Sequence, residues 1–385
     1  VLCSVVAIRL VRFLVCEPLL CELQIVARLG HISLAGVDQG EAQLIQFGVP
    51  VGLGRLPETL QRLLVITCAE VSHAGSMQMP GSLFRSDTQL SPFGDELGIV
   101  QTLEMADLGV PVMVQACDDE VDKLSVAERR DAFCGKFSVC NNLYQYGIPF
   151  TNTSLHTCAI DSQEFANDLD YFAKVCRVVK GLRNARIGAI GARPAAFQTV
   201  RFSEKLLQTA GVTVIPVDLS EIIFGAQALA DDDKSVANKL AEIRDYGRSP
   251  ERIPVEYILR QAKLSLVVDR WMEENECDAS AVECWDSIQK NYGCATCLSM
   301  SMMGERLMPS ACEVDVIGAV SMYALLLASG NPPGFLDWNN NYGDDRDKCI
   351  NVHCSNYPAA FMGREFEISA LDVLGATLGE DRCFG

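Results

Sequence analysis

The stretch Ala185-Arg-Ile-Gly-Ala-Ile-Gly191, followed by Val212-Thr-Val-Ile-Pro-Val-Asp218, decides how this chain folds. Both are short apolar runs of the kind that form strands buried inside a sheet. Residues 195–210, between them, have a helical pattern, so the three pieces predict one strand–helix–strand crossover. The strands of such a unit are parallel, and its ligand-binding loops lie at their carboxyl ends.

The same alternation of helices and strands continues on both sides of this unit. The other predicted elements are helices over residues 99–108, 126–144, 165–182, 233–246, 255–274 and 311–329, and strands over 112–115, 279–284, 334–337 and 349–354. This order predicts an α/β fold with two doubly wound, Rossmann-like parallel-sheet domains and a partial, mainly β C-terminal domain. We place these domains at residues 1–160, 161–330 and 331–385.

Composition limits the classes of function. A net charge of −18 leaves no basic surface for a nucleic-acid partner. The 17 cysteines are odd in number and many lie in apolar stretches, which indicates free thiols in a reducing compartment. We therefore expect a cytoplasmic protein. Residues 1–23 are apolar, but charged residues such as Arg9 and Glu17 interrupt them, so we expect no membrane span or anchor.

The loop that follows the first quoted strand is rich in glycine. Residues 188–194 lack the GxGxxG spacing of a dinucleotide site, so a tight turn explains the glycines better. Arg193 lies at the mouth of this turn. An arginine at the carboxyl end of a strand can hold sugar hydroxyls or phosphate, and a plain ion pair would explain it equally well.

Glu313, Asp337 and His353 are the strongest candidate chemical set. Glu313 is predicted to open an apolar helix, where the helix dipole alone would explain a carboxylate. Asp337 is predicted to end an apolar strand, where a turn would explain it, and a lone histidine in a strand such as His353 is more often a core residue. Together, two carboxylates and an imidazole at the edges of apolar elements suit Mn²⁺ or a similar divalent ion.

Several segments resemble the L-fucose/L-arabinose isomerase family. They are Gly188–Arg193-Pro-Ala-Ala-Phe, Thr199-Val-Arg-Phe-Ser-Glu-Lys, Tyr292-Gly-Cys-Ala-Thr-Cys297-Leu-Ser-Met, Ala311-Cys-Glu-Val-Asp-Val-Ile-Gly-Ala and Phe335-Leu-Asp337. The resemblance covers about residues 95–385 and is most specific around Glu313 and Asp337, whose spacing agrees with the two metal-binding carboxylates of fucose isomerases. It also implies that the family's C-terminal end, with a further histidine ligand, is missing from this chain.

The resemblance implies a metal-dependent aldose–ketose isomerase that moves a proton through an enediol. Glu313 and Asp337 would be metal ligands and the acid/base pair, and His353 a third ligand, as in arabinose isomerases. Arg193 and Asn339 would hold the open-chain sugar. The implied cofactor is Mn²⁺ or another divalent cation. The implied assembly is a homo-oligomer, either a hexamer or a trimer of dimers.

Other functions stay open. One is an enzyme on the same scaffold that acts on a modified or phosphorylated sugar. Another is a non-catalytic sugar-binding or assembly protein, which would bind sugar whether or not a chelator is present. A periplasmic-type solute-binding protein is disfavoured by the free thiols and by the lack of a signal sequence.

Overall fold

The computed structural model describes residues 4–11, 63–70, 96–107, 109–129, 131–249, 251, 253–285, 287–353, 356–363 and 366–369. The chain divides into two compact units, Val1–Cys176 and Arg177–Gly385. Each unit has its own four-stranded sheet. In the described part of the chain no helix is long and apolar enough to cross a membrane. Apart from residues 4–11, the N-terminal segment for which we expected no span lies outside the described residues.

The described residues of the first unit form a mixed sheet and three helices. Its strands are β1 (Ser4–Val11), β2 (Leu63–Glu70), β3 (Val112–Ala116) and β4 (Thr151–Asn152), in the order β1-β2-β3-β4. Strand β1 is antiparallel to β2, and the other neighbours are parallel. The helices are α1 (Glu96–Ala106), α2 (Ala132–Gln145) and α3 (Gln163–Leu182), the last of which continues into the second unit.

Strand β3 is buried on both faces. Val112 and Val114 pack with side chains of α1 and α2. Met113, which lies between them, packs in a different cluster with Phe165 and Phe172 of α3. Because alternate side chains of a strand point to opposite faces, helices cover both faces of this sheet, as expected for a doubly wound unit.

The second unit has an all-parallel sheet with the order β6-β5-β7-β8. Its strands are β5 (Arg186–Ile190), β6 (Thr213–Val217), β7 (Ala279–Val282) and β8 (Ser310–Ala311). Its helices are α4 (Glu204–Thr209), α5 (Leu219–Ala228), α6 (Lys234–Tyr246), α7 (Val255–Glu274), α8 (Ser287–Asn291), α9 (Cys297–Glu305), α10 (Val316–Ser329) and α11 (Ala359–Met362), with a 3₁₀ turn at Gln198–Val200. An exposed antiparallel hairpin of β9 (Asp337–Tyr342) and β10 (Asp345–Val352) follows α10.

Helices cover both faces of this sheet as well. Ile190 and Val282 pack in a cluster with side chains of α5 and α7. Ile187 and Ala281 pack on the other face, with Met322 of α10. The predicted α/β class is therefore confirmed, with parallel strands throughout the second sheet and everywhere in the first except for β1. The limits of the three predicted domains stay predictions.

The strand order also creates a switch point. The chain leaves β5 for β6 on one side and returns to β7 on the other, so β5 lies between them. In parallel sheets of this kind, ligands bind where the loops diverge, outside the carboxyl ends of the two central strands. The carboxyl ends of β5 and β7 border that position here.

The predicted helix over residues 195–210 is wrong in its first half. The structure has a loop with a short 3₁₀ turn there, and α4 begins only at Glu204. The guanidinium of Arg193 donates hydrogen bonds to the carbonyls of Pro194 (2.8 Å) and Phe197 (3.0 Å). The carbonyl of Phe197 is therefore bound by a side chain instead of a helical N–H, and that of Pro194 accepts both the Arg193 guanidinium and the N–H of Phe197 (3.1 Å) in a turn. Ser203 then caps α4.

The positions of Glu313 and Asp337 also differ from the prediction. Helix α10 begins at Val316, with Asp315 as its N-cap, so Glu313 does not open the helix but lies in the turn before it. Asp337 begins strand β9 instead of ending a strand. Strand β9 replaces the predicted strand over residues 334–337, whereas β10 includes residues 349–352 of the predicted strand over 349–354 and begins earlier, at Asp345. Helix α2 begins at Ala132, later than the predicted start at residue 126.

Candidate functional site

The loops that leave β5, β7 and β8 are held together by backbone hydrogen bonds. The N–H of Glu283, just after β7, donates to the carbonyl of Ile190 at the end of β5 (2.9 Å). The N–H of Val314, after β8, donates to the carbonyl of Val282 at the end of β7 (3.3 Å). These bonds fix the three loops at one edge of the sheet, next to the switch point.

Glu283 closes the loop after β5. Its carboxylate accepts a hydrogen bond from the N–H of Ala192 (2.7 Å). Gly191 has φ +87° in this turn, and a Cβ there would lie 2.6 Å from the Cβ of Glu283. Only glycine combines that backbone conformation with so close a contact. The glycine-rich sequence is therefore explained by a tight turn that approaches a carboxylate.

Arg193 stabilises the same loop. Its guanidinium donates hydrogen bonds to the backbone carbonyls of Pro194, Ala195 and Phe197. The ring of Phe197 in turn meets Trp285, just after β7, edge to face at 5.1 Å between ring centroids. These contacts support a structural role for Arg193, and sugar contact by this side chain stays a prediction.

Glu313 lies beside two thiols. The Sγ of Cys284, after β7, donates to Oε1 of Glu313 over 3.7 Å. The ligand atoms of Cys284, Cys312 and Glu313 all lie within 4.8 Å of one another. Cys312 is fully buried and Cys284 is 4% exposed, whereas Glu313 is partly exposed. The carboxylate is therefore the side of this cluster from which solutes would enter.

The backbone at Glu313 is strained. Glu313 has φ +58° and Val314 has φ +52°, a conformation that is unfavourable for a β-branched residue in particular. The bond from Val314 to Val282 and the burial of the Val314 side chain hold this turn in place. Such strain persists only where the surroundings impose it, and it occurs most often at functional sites.

Asp315 ends the strained turn. Its carboxylate accepts a hydrogen bond from the N–H of Gly318 (2.8 Å) and so caps α10. Burial raises the pKa of Asp315, and bonds from the N–H groups of Gly318 and Ile317 lower it only in part. The cap thus fixes the start of α10 while its carboxyl group binds a proton more readily than an exposed aspartate.

His353 follows strand β10, next to a ring that packs on α10. Its imidazole meets Phe335 edge to face, with 5.2 Å between ring centroids. The ring of Phe335 lies against Gly318, in the first turn of α10. A Cβ added to Gly318 would be only 2.5 Å from Cε2 of that ring. The Nδ1 atom of His353 is buried, and none of the described groups hydrogen-bonds to it. A buried nitrogen without a partner is unusual and fits a group that binds a further ligand.

Asp337 and Asn339 both lie on the exposed strand β9. Among the described residues, Cys284, Cys312 and Glu313 form the only group of three potential ligands within 4.8 Å of one another. The structure therefore does not gather Glu313, Asp337 and His353 into one set. By type, two carboxylates and an imidazole fit a hard divalent cation. Their role as its ligands stays a prediction.

Glu283, Cys284 and Cys312 are not among the functional residues that the sequence predicts; the two cysteines belong to the apolar stretches that indicate free thiols. Both thiols are indeed buried. Their position could have indicated a functional role. All three residues follow closely after short buried strands of a parallel sheet, where such sheets bind ligands.

Comparison with known proteins adds a family. Residues 89–183 match the family model described as the N-terminal domain of fucose/sulfoquinovose isomerase. Sulfoquinovose isomerase from Priestia megaterium is 29% identical over 182 residues, which cover 47% of this chain and 40% of that protein. The enzyme of the same name from Clostridium sp. is 26% identical over 219 residues, covering 54% and 46%.

A further sulfoquinovose isomerase, from Alkalicoccus urumqiensis, is 25% identical over 215 residues, which cover 56% of this chain and 46% of that protein. The aligned region thus spans less than half the length of each of these three relatives. At this modest identity, and over part of the chain, the comparisons confirm that the protein is similar to the fucose isomerase-like family that its sequence motifs predicted.

Proposed function

We propose that this protein is an aldose–ketose isomerase that moves a proton between C1 and C2 of an open-chain sugar through an enediol. One observation carries the proposal. The carboxylate of Glu313 is held by a strained turn at the carboxyl edge of a parallel sheet, where it remains partly exposed. A carboxylate positioned in this way suits proton transfer next to a carbonyl, which is typically worth about 10²–10⁴-fold in rate.

Glu313 and Asp337 are the proposed acid/base pair. One carboxylate takes the proton from C2 while the other gives a proton to O1, which forms the enediol. The second then takes the hydroxyl proton of O2 while the first gives its proton to C1, so both carboxyl groups return to their starting state. Glu313, Asp337 and His353 would together hold Mn²⁺ or another divalent cation. When bound, such an ion stabilises the oxyanion that develops on the sugar. The Nδ1 of His353, which has no hydrogen-bond partner among the described residues, supports this ligand set. The set requires Asp337 and His353 to approach Glu313.

The substrate we propose is a sugar that carries an acidic substituent. The relatives reported above are sulfoquinovose isomerases, and sulfoquinovose is a sulfonated sugar. An acidic sugar agrees with the modified-sugar substrate that the sequence left open as an alternative. Arg193 and Asn339 are the proposed sugar contacts. As in the family that it resembles, we propose a cytoplasmic homo-oligomer, either a hexamer or a trimer of dimers.

The test is the substitution Glu313→Gln, assayed with Mn²⁺ on sulfoquinovose, fucose and arabinose. We expect the unmodified protein to convert sulfoquinovose fastest and Glu313→Gln to lose at least about 100-fold of that rate, because the amide cannot transfer the proton. Thermal unfolding checks that the variant folds. Glu204→Gln, an exposed change in the first turn of α4, is the matched control.

Full activity of Glu313→Gln would contradict the assignment. A different result would favour the non-catalytic alternative. In that case the unmodified protein binds the sugar equally well with and without a chelator, and it shows no turnover with any sugar of the panel.

A further inference from the structure

The cluster of Cys284, Cys312 and Glu313 has the ligand types of a metal site that differs from the proposed isomerase site. Two thiols and one carboxylate converge from the loops after β7 and β8, with all three ligand atoms within 4.8 Å of one another. The two strands pair directly, with Ala281 opposite Ala311, so the sheet itself holds the thiols in place. The sugar chemistry proposed above uses neither thiol.

The separation of Cys284 and Glu313 agrees with a tetrahedral cation site. Zinc binds thiolate sulfur at about 2.3 Å and carboxylate oxygen at about 2.0–2.2 Å, so a sulfur and an oxygen on one tetrahedral zinc lie about 3.6 Å apart. The Sγ of Cys284 lies 3.7 Å from Oε1 of Glu313. These two ligand atoms already have the separation that a shared zinc ion would impose.

We propose that Cys284, Cys312 and Glu313 together bind a thiophilic divalent cation such as Zn²⁺, with water at the fourth position. Three protein ligands with one open position are the pattern of an accessible zinc site, whereas structural sites use four. The two sulfurs are buried and the carboxylate is partly exposed. The ion would enter from the side of Glu313, where the open position remains.

The ligand types set the preference among cations. Thiolates favour Zn²⁺ over Mn²⁺, which prefers oxygen ligands. Glu313 also belongs to the proposed isomerase site. If that function is correct, Zn²⁺ would compete for the carboxylate that the isomerase needs. This consequence rests on the proposed function, whereas the thiophilic site itself does not.

The experiment titrates the reduced full-length protein with Cd²⁺, a spectroscopic substitute for Zn²⁺, without sugar or Mn²⁺. Absorption in the near ultraviolet from thiolate-to-metal charge transfer reports sulfur ligands directly. We expect the unmodified protein to gain this absorption, and Zn²⁺ to displace the Cd²⁺. Cys284→Ser and Glu313→Gln should each weaken the binding at least about tenfold, because even residues outside the ligand shell alter metal affinity by 10–100-fold.

Cys277→Ser is the matched control, since Cys277 is a buried free thiol at the approach to β7 outside the cluster. It should bind Cd²⁺ like the unmodified protein. Absence of the charge-transfer absorption in the unmodified protein, or equal binding by Cys284→Ser and the unmodified protein, would overturn the proposal. Because the titration contains no sugar, its outcome is independent of the isomerase assay.

Discussion

Asp315 combines two opposing effects in a single side chain. Its carboxylate caps α10 through the N–H of Gly318, which stabilises the start of the helix. Burial at the same position raises its pKa, because the charged form is partly removed from water. Replacing the carboxylate with an amide keeps an oxygen for the cap and removes the charge, so the two effects can be separated.

We expect Asp315→Asn to be more favourable for stability at pH 7 than at pH 4. A carboxyl group whose pKa is raised by folding carries no penalty when it is protonated, and the protein loses stability as the pH rises through the folded pKa. Asparagine has no charge at either pH. The free energy of unfolding of the variant minus that of the unmodified protein should therefore increase with pH, as measured by urea denaturation.

Asp233→Asn is the control, with the opposite expected sign. Asp233 caps α6, and hydrogen bonds from the side chain and the N–H of Ser235 lower its pKa. Its charge stabilises the fold above the ordinary pKa, and that contribution is lost as the pH falls. The same stability difference should therefore decrease with pH. Parallel behaviour of the two variants would contradict the opposite electrostatic environments that their contacts imply.

The close packing of β5 against α7 depends on a glycine, Gly188, which has no side chain. A Cβ on Gly188 of β5 would lie 2.7 Å from the ring of Trp271 and 3.2 Å from the sulfur of Met272, both on α7. Met272 is fully buried in the cluster that joins the sheet to its helices. Because protein interiors are closely packed, these neighbours have little room to move.

We expect Gly188→Ala to reduce the free energy of unfolding by about 1–3 kcal/mol, the usual cost of overpacking a core. Chemical denaturation measures this loss. The double variant Gly188→Ala/Trp271→Phe should recover part of it, because phenylalanine lacks the outer ring atoms that the new methyl group would meet. Equal stability of Gly188→Ala and the unmodified protein would show that α7 moves away from the sheet without cost.

The elements that sequence could predict are those with a one-sided apolar pattern. Helix α7 spans Val255–Glu274, as predicted, and α6 begins one residue after its predicted start. Helix α9 was missed because almost every residue of Cys297–Glu305 is buried, which leaves no polar face to reveal a helical period. Helix α5 was missed although Asp218 provides an N-cap signal before Leu219–Ala228.

The candidate site was predictable to a similar extent. The sequence singled out Glu313 as a candidate ligand but predicted that it opens a helix, whereas the residue lies in the turn between β8 and α10. The left-handed backbone of Glu313 and Val314 was not predictable, since tertiary contacts impose it against the local preference of both residues. Cys284 and Cys312 lie close together because β7 and β8 are neighbours in the sheet. Short sequence motifs carry no information on strand order, so this proximity was not predictable.

Charge is a property of the whole molecule. The net charge of −18 at pH 7 is spread over 385 residues, and the sequence pI is about 4.7. Some cations lie in local networks, such as Lys239 (2.9 Å) and Arg306 (2.5 Å), which both bind Asp269 in the second unit. Those pairs satisfy local groups but leave a large excess of negative charge, which opposes the compact state through self-repulsion.

Added NaCl should therefore raise the melting temperature at pH 7. Between about 10 mM and 150 mM salt the Debye length falls from about 30 Å to about 8 Å, so repulsion between distant carboxylates is screened while close pairs such as Lys239–Asp269 keep most of their attraction. Each kcal/mol of relieved repulsion corresponds to about 2–4 °C for a unit of this size. Thermal unfolding followed by circular dichroism measures the shift, with KCl as a check against ion-specific effects.

The same titration near pH 4.7, where the net charge approaches zero, should produce little or no increase. A melting temperature that falls with salt at pH 7 would mean that attractive ion pairs outweigh the excess of negative charge.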